Sequence, residues 1–442
     1  MSRVLTAVFV LMFSSRALAT GFFINQQSVQ GQGRVGAGNA VAADELGTVF
    51  FNPAGLPRIV FDPAGAREIR ISVGGHLLIP RSDLRNRGSL AATPGSLGAG
   101  VPIAGGDGHD PADPTLVPNV YVAMPVGKTP AALGVAVNFP FGLTTGYERD
   151  WHGRYDAIDA SLKTVNIGLV GAYRFAFGLS IGGGLDVQRA TTSLTTAIPN
   201  PLTPGGPTAA TDASIETEGD TFTPGFNVGA IWEISDSVRI GGHYRSGMQH
   251  DLEGASDVRG LPAPLAAFNG TIGARATVHL PAITAAALRW QTKGAAIYAQ
   301  ADWFNWSTFE EVRIQFDDGR PDAVRPAYYR DAYGLAVGTD VPLPRGWTLR
   351  GGVRYDTTPT VGTYRDTTVP DSERTWLGAG ASVNLSRHFA LDLAFTHAFF
   401  ADTSVGVTRT FFEQTPLASV VNVNSGVQTS VTTLAADLRF RF

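Results

Sequence analysis

The lengths of the connections between strands constrain this chain more than any single segment does. Stretches with a period of two recur along it. In HFALDLAFTHAFF, His388 to Phe400, one face carries Phe389, Leu391, Leu393, Phe395, His397 and Phe399; the other carries Ala390, Asp392, Ala394, Thr396 and Ala398. Trp347, Leu349, Val353 and Tyr355 oppose Thr348, Arg350, Arg354 and Asp356 in the same way. Val238, Ile240 and Tyr244 likewise oppose Arg239, His243 and Arg245. The pattern predicts fourteen strands, near 67–77, 115–126, 131–141, 162–175, 177–189, 222–235, 237–251, 281–291, 293–304, 332–342, 346–356, 373–386, 388–401 and 428–442. Several exceed the usual soluble strand of about five or six residues and match a tilted membrane strand. Even-to-odd connections are tight: PVGKTP, FAFG, SDS, QTKG and SRH. Odd-to-even connections are long, near 78–114, 142–161, 190–221, 252–280, 305–331, 357–372 and 402–427. One rim of turns and one rim of bulk is the asymmetry of an outer-membrane barrel, whereas a soluble sandwich or propeller scatters its long loops.

The composition of the two faces follows from the solvent. In lipid every backbone N–H and C=O needs a partner within the protein, so the sheet must close on itself. Outward positions are then apolar, and Arg, Asp, Asn and His turn into the lumen. The C-terminal LAADLRFRF keeps this alternation to its last residue, Phe442. Gly182, Gly184, Gly378 and Gly380 fall on inward positions, where they leave room for something in the bore or ease a curved sheet.

Arg3, the apolar run Val4 to Phe13, and Ala17 and Ala19 read as a secretory leader cut after Ala19. The expected layout is therefore leader 1–19, an N-terminal segment 20–66, and a barrel 67–442. The 34 basic and 38 acidic residues form no basic patch, so no nucleic-acid partner is expected. With no cysteine, thiolate sites and disulfides are excluded. His243, His250 and His397 do not make a metal cluster, and no G-x-S-x-G, H-E-x-x-H or P-loop pattern occurs. The expectation is a non-enzyme without cofactor or metal.

Segment 20–66 is too long for a simple tether. Its small-residue stretch GRVGAGNAVAAD, Gly33 to Asp44, predicts a short helix ending near Ala43, because Asp44 and Glu45 sit badly at a helix C-terminus. In GTVFFNPAGLPR, Pro53 fixes φ, Asn52 can bond back to the backbone, and Ala54 and Gly55 complete a tight turn beside Phe50 and Phe51. These residues suit close packing against a barrel wall, but composition alone leaves open whether the segment fills the bore or lies outside it.

Five stretches carry a resemblance. They are GFFINQQSVQGQGRVGAGNAVAADELGTVFFNPAGL (21–56), FPFGLTTGYERDWHGRYDAIDASLKTVNIGLVGAYRF (139–175), GGHYRSGMQHDLEG (241–254), DWFNWSTFEEVRIQF (302–316) and LRGGVRYDTTPTVGTYRDTTVPDSERTWLGAG (349–380). In these the chain resembles the FadL family of outer-membrane transporters for long-chain fatty acids and aromatic hydrocarbons. The resemblance implies a fourteen-stranded barrel of the Gram-negative outer membrane with the N-terminal segment as a hatch in the lumen. It also implies capture of ligand among the outer loops, transfer to an inner pocket, hatch movement and sideways release into the bilayer. The hatch wording departs from the family's at Asp44-Glu45 and at Gly47-Thr48.

A greasy ligand sets the site chemistry. Burying ~15 methylenes is worth roughly 12 kcal/mol gross, so the site needs an apolar wall and a way to loosen. Hatch residues Phe50, Phe51, Asn52, Pro53, Ala54 and Gly55 are the gating candidates. Apolar ligand candidates are Phe22, Phe23 and Ile24, then Phe139, Phe141, Leu143, Tyr147 and Trp151, then Leu261, Leu265 and Phe268. Aromatics near strand ends also form interfacial girdles. For a carboxylate head, Arg154, Arg245, Arg350 and Arg374 are candidates, although lumen arginines also pair with lumen carboxylates such as Asp356 and Glu373. Expected partners are a fatty acid or small hydrocarbon, outer-membrane lipid and detergent-like amphiphiles, and the barrel-assembly machinery during biogenesis, with the protein itself monomeric. A polar-solute porin and a surface-receptor or structural barrel stand as alternatives.

Overall fold

The computed structural model describes residues 21–61 and 67–442, so the leader 1–19 and residues 62–66 of the N-terminal segment lie outside the described residues. Fourteen strands form the wall. They are β1 (Arg70–Asn86), β2 (Thr115–Pro125), β3 (Ala131–Asn138), β4 (Asp159–Arg174), β5 (Leu179–Ile198), β6 (Ala213–Glu233) and β7 (Val238–Arg245). The second half comprises β8 (Ile283–Gln291), β9 (Ala296–Phe304), β10 (Ala332–Leu343), β11 (Trp347–Asp356), β12 (Arg374–Asn384), β13 (Phe389–Phe400) and β14 (Ser419–Arg441). Each pairs antiparallel with its sequence neighbours, and β1 pairs with β14 from Arg70↔Arg441 to Asn86↔Ser425, which closes the ring. Every predicted strand is present.

Burial is inverted relative to a soluble sheet. Leu335 is 62% exposed and Leu169 61%, whereas lumen-facing Arg354 is 2% exposed and Asp186 1%. Large apolar side chains outside and charges inside are what a lipid solvent and an occupied bore demand together.

The outer connections differ from the expected loops. The β5–β6 hairpin stays paired to Ala213↔Ile198, segment 252–280 lies mostly in a hairpin of Met248–Arg259 with Gly270–Leu280, and Thr403–Phe411 pairs back onto β14. Above the lipid both faces of these strands meet water or other loops, so the apolar alternation that marks a strand in sequence disappears while the ladder continues.

The described part of the N-terminal segment, residues 21–61, occupies the bore. It contains α1 (Val29–Gly33), α2 (Thr48–Phe51), a 3₁₀ turn Pro53–Gly55 and α3 (Leu56–Val60). Ser28 caps α1, its Oγ accepting from the Gly31 N–H at 3.0 Å. The expected helix over 33–43 is corrected: the helix precedes it, and Arg34–Val41 forms successive turns. Val35, Gly36, Gly38 and Ala43 all have positive φ, and Gly38 lies against the Tyr298 ring where a Cβ would collide. Wall contact overrides helix propensity here.

Wall glycines accept this plug. A Cβ on Gly352 would lie 2.5 Å from the Arg34 carbonyl oxygen, one on Gly182 2.5 Å from the Ala54 nitrogen, and one on Gly378 2.6 Å from the Val35 side chain. A Cβ on Gly380 would lie 3.0 Å from Gly33 Cα, while Gly184 packs against neighbouring β4 rather than the hatch. Room for a plug is thus the main reason for the inward glycines.

Candidate functional site

Two prolines open the wall. The β2–β3 ladder runs from Pro125↔Ala132 to Val120↔Val137 and goes no further among the described residues. β2 continues to Thr115 paired only with β1, and carries Pro118 in that stretch. β3 was expected to reach 141 but ends at Asn138, before Phe139-Pro140-Phe141; the chain then resumes as Gly142–Gly146 against β4. Proline offers no ladder donor, so each strand is fitted to be an edge where the other leaves it.

The first described residues cover this gap. The Ile24 N–H donates to the Pro140 carbonyl at 2.8 Å, the Gly142 N–H donates to the Phe22 carbonyl at 3.0 Å, and Phe23 bridges Phe141 in antiparallel register. Residues 22–24 therefore act as a short added strand. Strand geometry turns successive side chains to opposite sides. Phe22 faces a chamber beneath the outer hairpins, and Phe23 faces a small cavity between hatch and wall.

The chamber has a volume of ≈ 120 Å³. Phe22, Leu143, Leu162, Val278, Phe309 and Tyr329 supply much of its apolar lining, with Arg325 and Asp366 at its edge. Its floor is an aromatic cluster: Phe22 meets Trp306 at 4.6 Å, Phe309 at 5.6 Å and Phe141 at 6.3 Å between ring centroids, and Phe309 meets Tyr329 at 4.8 Å. The cavity below has ≈ 20 Å³ of free space between Phe23, Phe50, Phe51, Phe304, His243 and Arg245. That holds about one water.

Charges behind the chamber wall are paired. Asp156 accepts from Arg409 at 2.6 Å and lies 3.8 Å from Arg325, and it takes both the N–H (2.7 Å) and the hydroxyl (2.6 Å) of Thr367. Burial pushes the Asp156 carboxyl up, but Arg409, Arg325 and Thr367 outweigh it and hold it below the ordinary range. Asp366 goes the other way: burial first, then the neighbouring Asp156 charge, push it up.

The hatch residues of the NPAG turn form a latch. Asn52 Oδ1 accepts from the Ala54 N–H at 3.2 Å, while its Nδ2 donates to Ala40 O (2.7 Å), Gly242 O (3.1 Å) and Ala230 O (3.2 Å). Pro53, Ala54 and Gly55 are buried against β5 and β6. Phe50 and Phe51 meet edge to face at 5.1 Å, and the Arg245 guanidinium lies 4.1 Å over Phe50.

Other candidates fall in different places. Phe139 packs with Ile24, Leu78 and Val117 beside the gap. Trp151 stacks on Tyr147 at 3.8 Å in the separate core of the outer hairpins, and its Nε1 donates to Ala157 O. Leu261 and Leu265 pack at a hairpin tip, and Phe268 there is exposed. The four arginines sit in ion pairs: Arg154 with Asp212 (2.8 Å), Arg245 with Asp186 (2.6 Å), Arg350 with Asp340 (3.4 Å) and Arg374 with Asp371 (2.9 Å). None of them lines the chamber. Arg325, Phe309 and Tyr329 do, with Trp306 packed behind Phe22 and Phe309, and none of these four stood out in the sequence. The aromatic density of segment 302–329 was the available signal.

Comparison with known proteins agrees with this architecture. The profile of the family described as "Outer membrane protein transport protein (OMPP1/FadL/TodX)" matches residues 10–442. A long-chain fatty acid transport protein of Escherichia coli O6:H1 is 26% identical over 419 residues, covering 88% of this chain and 88% of the relative. The crystal structure of a Pseudomonas aeruginosa FadL homologue superposes with a TM-score of 0.79 at 21% identity, covering 94% of this chain and 99% of that one. The Ralstonia pickettii toluene transporter TbuX superposes at 0.64 with 16% identity, covering 96% and 100%. A closed fourteen-strand wall, a plugged bore and a match along nearly the whole sequence lead to one conclusion: the chain belongs to the OMPP1/FadL/TodX family of outer membrane transport proteins.

Proposed function

We propose that this protein takes up hydrophobic compounds, long-chain fatty acids or small aromatic hydrocarbons, by binding them in the outer chamber and releasing them sideways through the β2–β3 gap. One observation carries the reading: the short strand 22–24 covers the gap, and its Phe22 side chain belongs to the chamber floor. Moving them joins an apolar pocket to lipid. A ligand taking that route stays out of water throughout, so its burial is retained at each stage.

Size supports a moving floor. A dry apolar cavity of about 150 Å³ holds one benzene ring. The closed chamber, at ≈ 120 Å³, accommodates a single ring or an alkyl segment of similar bulk, and a long acyl chain needs the floor or the hairpins to give way. The latched hatch speaks against a general polar-solute porin, since the described hatch residues fill the bore.

The test is uptake of labelled oleate and labelled toluene by cells that make the protein as their sole transporter of this kind. Protein-dependent uptake of either supports the reading. Equal uptake of both probes with and without the protein overturns it.

A further inference from the structure

The gap leaves unpaired backbone on both of its sides, and residues 22–24 satisfy only the outer part of the β3 side, Pro140 to Gly142. Gln27 satisfies the rest. Its Nε2 donates to the Phe139 carbonyl at 2.9 Å and to the Ile24 carbonyl at 3.1 Å, and its Oε1 accepts from the Phe139 N–H at 3.3 Å. The primary amide thus reproduces on Phe139 the donor-and-acceptor pair that a neighbouring strand would present. On the opposite side the Gln27 backbone carbonyl accepts from Asn119 Nδ2 at 3.0 Å and from the Tyr121 hydroxyl at 2.6 Å, both on β2. Gln27 is fully buried. One residue therefore spans from β2 to β3 across the stretch where the ladder has stopped.

From this geometry we propose that Gln27 is the gate-holding residue of the lateral opening: its side chain stands in for the missing rung, and release of ligand requires those bonds to break. The inference rests on the sideways-release reading above and assigns its closing element. Glutamine meets the requirement where its nearest relatives fail. Asparagine is one methylene short, glutamate cannot donate to Phe139 O, and methionine of similar length offers neither group. Bonds of this kind are individually modest in net strength, which suits a seal that must part once per transported molecule. The ion pairs that seat the rest of the hatch are much harder to break, so the seal opens without unseating the plug.

Two experiments test this. The first uses Gln27→Met, which keeps the bulk and removes the polar atoms, in full-length protein whose folded barrel is verified by heat-dependent gel migration. Hydrogen exchange is read in peptides covering 21–27 and 138–146. Exchange there about tenfold faster than in the parent protein, with β4–β5 peptides unchanged, supports the proposal. Unchanged exchange in the two gap peptides overturns it. This readout does not depend on transport, so it stands even if the parent protein takes up neither oleate nor toluene, an outcome that would remove the transport reading alone.

The second uses the absence of native cysteine. Phe23 and Phe141 are bridge partners, and such pairs lie within disulfide reach. In the Phe23→Cys/Phe141→Cys protein, oxidation should abolish uptake and reduction should restore it. Should Gln27→Met fail to fold, Asn119→Ala/Tyr121→Phe removes both β2-side bonds to the Gln27 carbonyl instead and is read by exchange in the 21–27 peptide, with the same two outcomes. An oxidised pair that transports as fast as the reduced one overturns the proposal.

Discussion

The hatch–wall interface and the outer chamber are built from different interactions. Around the hatch, backbone meets backbone across glycines, and buried charges are paired: Arg34 donates to Asp340 at 2.6 Å and to Glu45 at 2.8 Å, with its side chain fully buried. Free space between hatch and wall near Phe23 and Phe50 is about that of one water. In the chamber the contacts are ring against ring, with ≈ 120 Å³ left over. Hydrogen-bonded and charged contacts have narrow geometric tolerance, whereas aromatic edges slide at small cost. The lower region is fixed in place, and the upper one can adapt to a guest. The difference teaches where binding energy can act: on the aromatic floor and the thin seal beside it, and not on the plug as a whole.

The strongest way to break the comparison is to deny the hatch its seat. In Gly352→Val the new Cβ meets Arg34 backbone at 2.5 Å, and backbone cannot swing aside. The hatch should leave its place and the bore should open. Planar-bilayer recordings are expected to change from closed to a large steady current, with trypsin cutting at Arg34 and Arg58. Gly294→Val, at a turn where nothing lies within 4 Å, should leave both unchanged. A closed Gly352→Val barrel with an intact hatch would show that the close approach is dispensable.

Arg34→Met tests the ionic part. Removing the guanidinium leaves buried Glu45 with only the Ser28 hydroxyl and Asp340 with only its longer ion pair to Arg350, a loss of up to about 3–5 kcal/mol in hatch seating. Hydrogen exchange over residues 29–60 should accelerate accordingly while the wall strands stay protected. Exchange equal to the parent's would mean the pairs merely fill space.

Phe309→Ala is the matching change in the chamber. It removes contacts to Phe22, Trp306 and Tyr329, and ligand affinity should fall by about 1–3 kcal/mol. Hatch exchange over residues 29–60 should not change. Quenching of tryptophan emission by a titrated fatty acid measures the first, and an affinity equal to the parent's would separate the chamber from the binding site.

The wall was legible in sequence because lipid imposes one rule on every strand, so Leu391 and Leu393 or Leu349 and Val353 advertise their face. Above the membrane that rule lapses, and strands such as Thr403–Phe411 read as loop. The plug was legible only as a suitability for close packing: Gly38 reads as part of a weak helix until the wall at Tyr298 fixes its φ. Phe22 and Leu143, which line the chamber, stood out in sequence because they flank obvious landmarks. Arg325, Tyr329 and Gln27 were missed for a shared reason. Each acts through a partner far off in sequence, Asp156, Phe309 and Phe139 respectively, and no local pattern encodes such a meeting.

The smallest expected effect is the one that separates the two ligand classes. Asp366 lines the chamber, its carboxyl raised by burial and by Asp156, with Arg409 3.6 Å away and Arg325 on the same wall. As pH falls through that raised value Asp366 takes up a proton, and a negative charge leaves the chamber edge. An anionic head near Arg325 is then repelled less, so carboxylate affinity should rise as pH falls and weaken as pH climbs back. At a separation of roughly 8 Å and an effective dielectric near 40, between the protein-surface and bulk-water values, this amounts to about 1 kcal/mol, or about fivefold in Kd. Asp366→Asn should hold the low-pH affinity across the range. An uncharged aromatic probe has no such term, so its affinity should stay flat in both proteins. A carboxylate whose affinity is equally flat in the parent and in Asp366→Asn would place its head away from Arg325, and leave the chamber to the apolar part of the ligand.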